Sequence, residues 1–247
     1  MKNERIIYTI ISFAIPILIW IFSGKSIPSP IELIFDLLDN STHHISNFIF
    51  TGFNAAYGIF IASLFTVIII FFIAIRPAFS SFFYPYIVFL KATPAIAFAP
   101  IYIIFAGCGH VSRALVAASI CFFPLIVGAL SGLARVPERL VLLPEIYGAS
   151  DWKRFWSIDW GYAVTGFSSG LLTAAPLAVV GSIVGDYVIA GNRPEGIGGY
   201  LLSIISNPQP IVTMSGIFLC SILGFIFFFF AKIIERIVNN WFKIEKL

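Results

Sequence analysis

The strongest constraint on this chain is a series of apolar stretches, each long enough to cross a bilayer and separated by more polar or Pro-rich segments. A bilayer core takes about 20 apolar residues per helix. Six stretches qualify: Ile6–Phe22 with Pro16, Phe53–Ile75 ending at Arg76-Pro77, Phe82–Phe105, Val111–Leu133, Phe167–Ile189 and Ile211–Ile234. The third is interrupted by Lys91, Pro94 and Pro100, and the sixth carries the run Phe227 to Phe230. Because backbone polar groups in lipid must be satisfied within the segment, each reads as a helix. The expected class is an all-α polytopic membrane protein with six transmembrane helices and one membrane domain over 1–247. Composition agrees: 59% of the 247 residues are hydrophobic and 11% charged, against about a quarter charged in soluble domains. No small-residue cleavage site follows Phe22, so the first stretch reads as a retained helix and not as a signal peptide.

The basic residues set the orientation. Lys2, Arg5, Arg76, Arg135, Arg139, Lys153, Arg154, Lys232, Arg236, Lys243 and Lys246 fall on one side; Lys25, Arg113 and Arg193 fall on the other. Both termini and the loop 134–166 are therefore expected in the cytoplasm, with connections 23–47 and 190–210 outside. A net charge of +3 does not point to nucleic acid. Cys108, Cys121 and Cys220 show no disulfide framework, and His43, His44 and His110 form no metal-ligand pattern. No catalytic constellation is expected. Gly24-Lys25-Ser26 ends like a phosphate-binding loop, but Ile19 stands where that motif needs glycine. The chain is thus expected to bind no nucleotide or cofactor of its own.

The loop 134–166 reads as two short helices broken at Gly148-Ala149-Ser150. Ser150 and Asp151 suit an N-cap and first turn. Trp152, Phe155 and Trp156 fall at i, i+3 and i+4 on one face, with Lys153, Arg154 and Ser157 on the other. Such a helix fits either a membrane surface or a groove on a cytoplasmic partner. The fifth span carries Gly166, Gly170, Gly181 and Gly185 at small-xxx-small spacing, which serves packing within one subunit or a dimer seam. Asp186 and Lys91 are ionisable residues at span depth; each faces a cavity or reaches the interface. With Pro94, Pro100 and Gly181 they form a candidate translocation pathway.

In order and spacing these residues resemble the membrane permease of binding-protein-dependent ABC importers, in the nitrate, sulfonate and taurine branch. The resemblance covers about 27–205 and rests on five stretches. They are Ile27-Pro28-Ser29-Pro30 with Glu32-Leu33; Lys91-Ala92-Thr93-Pro94 through Ala99-Pro100 to Gly107-Cys108-Gly109 and Ser112-Arg113; and Phe122-Phe123-Pro124 with Gly132. The last two are Gly148-Ala149-Ser150 with Trp152, Phe155 and Ile158, and Gly170-Leu171 through Asp186, where the family commonly has Glu, to Gly196-Ile197-Gly198. Departures are concentrated in the loop. Leu142, Leu143 and Pro144 replace its Glu-Ala-Ala, and Trp160-Gly161 replace the Leu-Pro after Ile158. Glu145 stands where arginine is usual, and Leu172 where a basic residue is common.

The resemblance implies a type I ABC importer permease fold. Two permease copies would share a pathway, with a substrate-binding protein docked outside and ATPase subunits, carrying ATP and Mg, docked inside. The coupling segment would comprise Glu145, Gly148, Ala149, Ser150, Asp151, Trp152, Phe155, Trp156 and Ile158, with the three aromatics inserting into the ATPase. The solute would be a sulfonate, a nitrate-like anion or a vitamin precursor. Three alternatives remain at this level: a secondary transporter driven by an ion gradient, although no internal repeat is visible; a membrane-embedded enzyme; and a permease that pairs with a different permease chain.

Overall fold

The computed structural model describes Trp20 and residues 27–189, 195–205 and 208–242. The expected first span, Ile6–Phe22, lies outside the described residues apart from Trp20, as do Lys2, Arg5, Lys25, Arg193, Lys243 and Lys246. The helices that organise the described residues are α1 (Pro30–Asp39), α2 (Ser41–Ile75), α3 (Ala78–Ala92), α4 (Ala99–Ala106), α5 (His110–Leu133), α6 (Glu138–Ile146), α7 (Asp151–Ile189), α8 (Gly196–Ser203) and α9 (Pro210–Phe242). Among the described residues α2, α5, α7 and α9 are long and apolar enough to cross a membrane. They match the second, fourth, fifth and sixth expected spans.

The third expected span, read as interrupted at Pro94, is a bent pair: α3 and the segment Ala95–Ala106 are together long and apolar enough to cross, and meet at a bend of 100°. Thr93 is extended (φ −85°, ψ 127°), and Pro94 also leaves helical backbone with ψ 123°. Proline lacks an amide hydrogen and pushes its predecessor out of the helical region, so the helix stops here. A 3₁₀ turn, Ala95–Phe98, then leads into α4, where Pro100 sits in the first turn and disrupts nothing.

The centre of the bundle is the α5–α7 pair, which approaches at backbone distance. An added Cβ on Gly166 would lie 2.3 Å from the Gly128 carbonyl oxygen and 2.6 Å from Gly132 Cα. Gly170 meets the Pro124 carbonyl in the same way, and Gly181 meets Ala117 Cα. The small-residue pairs of the fifth span therefore pack on α5 of the same chain. Helices in lipid gain little from apolar burial against each other, so close van der Waals packing takes its place. α2 joins through Gly58, whose Cβ would be 2.6 Å from Ala117 Cβ.

α1 starts with a capping box: Ser29 Oγ accepts from Glu32 N at 3.3 Å, and Glu32 accepts from Ser29 N at 2.9 Å. Asp36 ties it down, accepting from His44 Nε2 of α2 at 3.1 Å and from Ser215 Oγ of α9. Burial opposes ionisation of Asp36, but hydrogen bonds from Ser215, Asn40 and His44 outweigh it and hold the carboxyl below the ordinary 3.8. A depressed carboxyl stabilises the fold above its unfolded value and loses that contribution as pH falls through the folded one. Hydrogen exchange is therefore expected to show protected α1 amides above pH 3.8 and deprotection below it. Asp36→Asn should flatten that step.

Candidate functional site

At the α6 end of the bundle the chain makes an elbow. α6 closes with a Schellman turn: Gly148 takes φ +62° and Ala149 N donates to the Pro144 carbonyl at 2.8 Å. Ser150 then caps α7, its Oγ accepting from Lys153 N at 3.4 Å, with Asp151 in the first turn. The expected second short helix is not separate. It is the start of α7 and passes through one π-helical turn, Phe155–Asp159, into the fifth span without a break.

The aromatic face is split by this geometry. Trp152 is 58% exposed and Trp156 48%, whereas Phe155 is 1% exposed and lies edge-on to Phe71 of α2 at 5.1 Å. The expectation that Phe155 inserts into a partner is therefore corrected: it is core. Trp152 leans on Phe71 at 5.6 Å, and Trp156 stands between Trp152 (5.7 Å) and Trp160 (5.2 Å). Arg154 fixes the elbow by donating to Asp159 Oδ2 at 3.1 Å and to the Ala74 carbonyl in the last turn of α2 at 3.3 Å. Glu145 lies in the last turn of α6, Ala149 and Ile158 are half-buried, and Gly148, Ser150 and Asp151 are exposed. Ile146 and Tyr147, not expected as site residues, are more exposed than the tryptophans.

A second feature is a groove of about 480 Å³ along the α5–α7 seam. Its floor is the backbone of Gly128, Gly166 and Gly170, and Ser131, Ser169, Thr173, Arg135, Val127 and Phe123 rise around it. Lys91 Nζ sits 4.7 Å from the Phe123 ring centroid, at the rim. Other outward faces carry Phe60, Phe65 and Ile68 on α2, and Phe225, Phe229 and Phe230 on α9. Hydroxyls and cations at span depth belong against water or protein and not against acyl chains.

The third feature is a buried polar hub where α2, α5, α7 and α8 meet. Asp186 is fully buried; it accepts from Thr51 Oγ1 at 2.6 Å and from Asn54 Nδ2 at 3.4 Å, and Arg113 Nε lies 3.5 Å away. Thr51 Oγ1 also accepts from Ile197 N at 2.8 Å, and Asn47 Oδ1 accepts from Gly196 N at 3.0 Å. These contacts explain Gly196-Ile197-Gly198. A Cβ at Gly196, itself at φ +79°, would strike the Asp186 carboxylate at 2.2 Å, and one at Gly198 would strike the Ile183 carbonyl at 2.1 Å.

The five residues expected along a pathway are not brought together. Lys91 borders the groove, Pro94 and Pro100 shape the bend, Gly181 lies in the α5–α7 seam and Asp186 is in the hub. Sequence reasoning missed Asn47, Thr51 and Asn54 as hub members. Their i, i+4, i+7 spacing, which puts three polar side chains on one helix face, was the available signal.

Comparison with known proteins places this arrangement. The formylaminopyrimidine transport permease protein ThiX of Halalkalibacterium halodurans is 27% identical over 242 residues, covering 94% of each chain. The riboflavin transport system permease protein RibX of Chloroflexus aurantiacus is 27% identical over 154 residues, covering 61% of this chain and 55% of that one. Residues 66–241 match the family model described as the inner membrane component of binding-protein-dependent transport systems. That match takes in the elbow, the groove and most of the hub, and the chain belongs to this family of ABC importer permeases, multi-pass proteins of the inner membrane.

Proposed function

We propose that this permease forms the translocation pathway for a small polar solute and couples it to a separate ATPase through the elbow around Gly148. One observation carries the reading: the exposed Trp152 and Trp156 sit on the same uninterrupted helix that walls the groove and ends in the hub. A displacement of the elbow by an ATPase therefore moves one wall of the groove directly. In this reading the α6 end is cytoplasmic and the α8 end faces a substrate-binding protein, as the basic residues imply. Two copies of the chain bring their α5–α7 grooves together, which covers the hydroxyls of Ser131, Ser169 and Thr173 otherwise turned to lipid. ATP and Mg stay on the ATPase, and the permease acts by conformational change alone. Relatives named for formylaminopyrimidine and riboflavin support a vitamin-precursor heterocycle as the solute.

Two measurements test this. In a Cys108→Ser background, oxidation of Ser169→Cys in membranes is expected to give a covalent dimer of twice 27.3 kDa; a persistent monomer overturns the paired-groove arrangement. Uptake of formylaminopyrimidine by cells is expected to stop on ATP depletion and to survive collapse of the proton gradient. The opposite pattern would point to an ion-driven carrier.

A further inference from the structure

The hub holds one cation between two carboxylates. Arg113 of α5 is 2% exposed, with Nε 3.5 Å from Asp186 Oδ1 and Nη1 3.7 Å from Glu195 Oε2. Well-made pairs of this kind close to about 2.7–2.9 Å, and Arg113 Nε, although buried, has no hydrogen-bond partner among the described residues. Its two partners differ sharply in surroundings. The Asp186 side chain is fully buried, while that of Glu195 is 49% exposed at the start of α8. Asp186 is meanwhile held by Thr51 and Asn54, so it keeps polar partners if the arginine leaves. The guanidinium rests on the Phe50 ring, 4.9 Å from its centroid, a surface along which it can swing without losing contact.

We propose that Arg113 is the moving element of a gate at the α8 end. Paired with Asp186, it draws α5 against α7 and keeps α8 clipped to α2 through Asn47 and Thr51. Paired with Glu195, it turns toward water, loosens the buried pair and lets α8 lift from α2. A buried ion pair with incomplete hydrogen bonding contributes little stability, which suits a contact that must break in every cycle. Asp186 and Glu195 are then positioning residues, each defining one end of the arginine's travel. This inference rests on the permease reading, in which the α8 end faces outward.

The test uses Ser182→Cys in a Cys108→Ser background, because Ser182 is fully buried beside Thr51. Intact cells are treated with a membrane-impermeant maleimide in the absence of substrate. Glu195→Gln removes the exposed partner only, and is expected to slow labelling of the introduced thiol and to cut uptake, each by roughly fivefold or more, with an unchanged melting temperature. Asp186→Asn is expected to speed labelling by a similar factor. If Asp186→Asn does not fold, Glu195→Gln alone decides. Parental labelling in Glu195→Gln overturns the gate, and parental uptake in that variant does too. Labelling that responds in a protein whose uptake ignores ATP would instead overturn the ABC reading and leave the gate standing.

Discussion

Gly166→Val is expected to leave almost no folded protein in the membrane. The added Cβ would sit 2.3 Å from the Gly128 carbonyl oxygen and 2.6 Å from both the Cα and N of Gly132. All three are backbone atoms of α5, so no rotamer change relieves the clash. The reverse contacts are equally tight, since a Cβ on Gly132 would lie 2.2 Å from the Tyr162 carbonyl. Relief requires α5 and α7 to separate along the seam that also holds Gly170 and Gly181. Overpacking ordinarily costs about 1–3 kcal/mol, and a backbone collision of this kind belongs at or beyond the top of that range. Gly224→Val on α9 is the control, because its Cβ meets nothing within 4 Å. Yield of monodisperse protein and its melting temperature should collapse for Gly166→Val and stay parental for Gly224→Val. Equal behaviour of the two variants would mean that the α5–α7 contact is not the keystone of the bundle.

The spans are legible because the bilayer is an undemanding reader: about 20 apolar residues suffice, and α2, α5, α7 and α9 each supply them. Small-residue spacing in α7 announces a close helix contact, but spacing does not name the partner, which the structure shows to be α5. Pro94 announces an interruption, while the 100° angle depends on Thr93 and on how α4 seats against α5. Phe155 escapes a sequence reading for a specific reason. A 3.6-residue period puts it beside Trp152 and Trp156, but Phe71 of α2 comes from 84 residues earlier in the chain and covers it. The hub is hidden by a boundary. Asn47 and Thr51 lie in or beside the stretch that reads as an outer connection, and only the 35-residue length of α2 gives them a common face with Asn54.

Gly148→Val is expected to separate ATP hydrolysis from transport while the protein inserts and folds normally. Gly148 adopts φ +62°, and a Cβ there meets nothing within 4 Å, so the substitution creates no clash. Its cost is conformational: a left-handed residue other than glycine loses about 1–2 kcal/mol, and a β-branched one has least tolerance for it. The chain escapes that strain by abandoning the Schellman turn, releasing the Ala149–Pro144 hydrogen bond and changing the angle at which α6 enters α7. In the proposed coupling, the Trp152–Trp156 ledge would then meet the ATPase in the wrong orientation. An energy of this size is worth roughly tenfold in an equilibrium, so uptake should fall about tenfold while hydrolysis by the assembled complex continues without stimulation by substrate. Gly148→Asn is the discriminating companion, since asparagine tolerates the left-handed region and occurs at helix C-caps; it should retain most uptake. The proposed coupling acts at a distance because α7 runs from Asp151 to Ile189, some 39 residues, or about 58 Å at 1.5 Å per residue. Its first turn carries the exposed tryptophan and its last carries Asp186, so a tilt imposed at one end reaches the Arg113 pair at the other. Parental uptake in Gly148→Val would break that chain of inference at its first link.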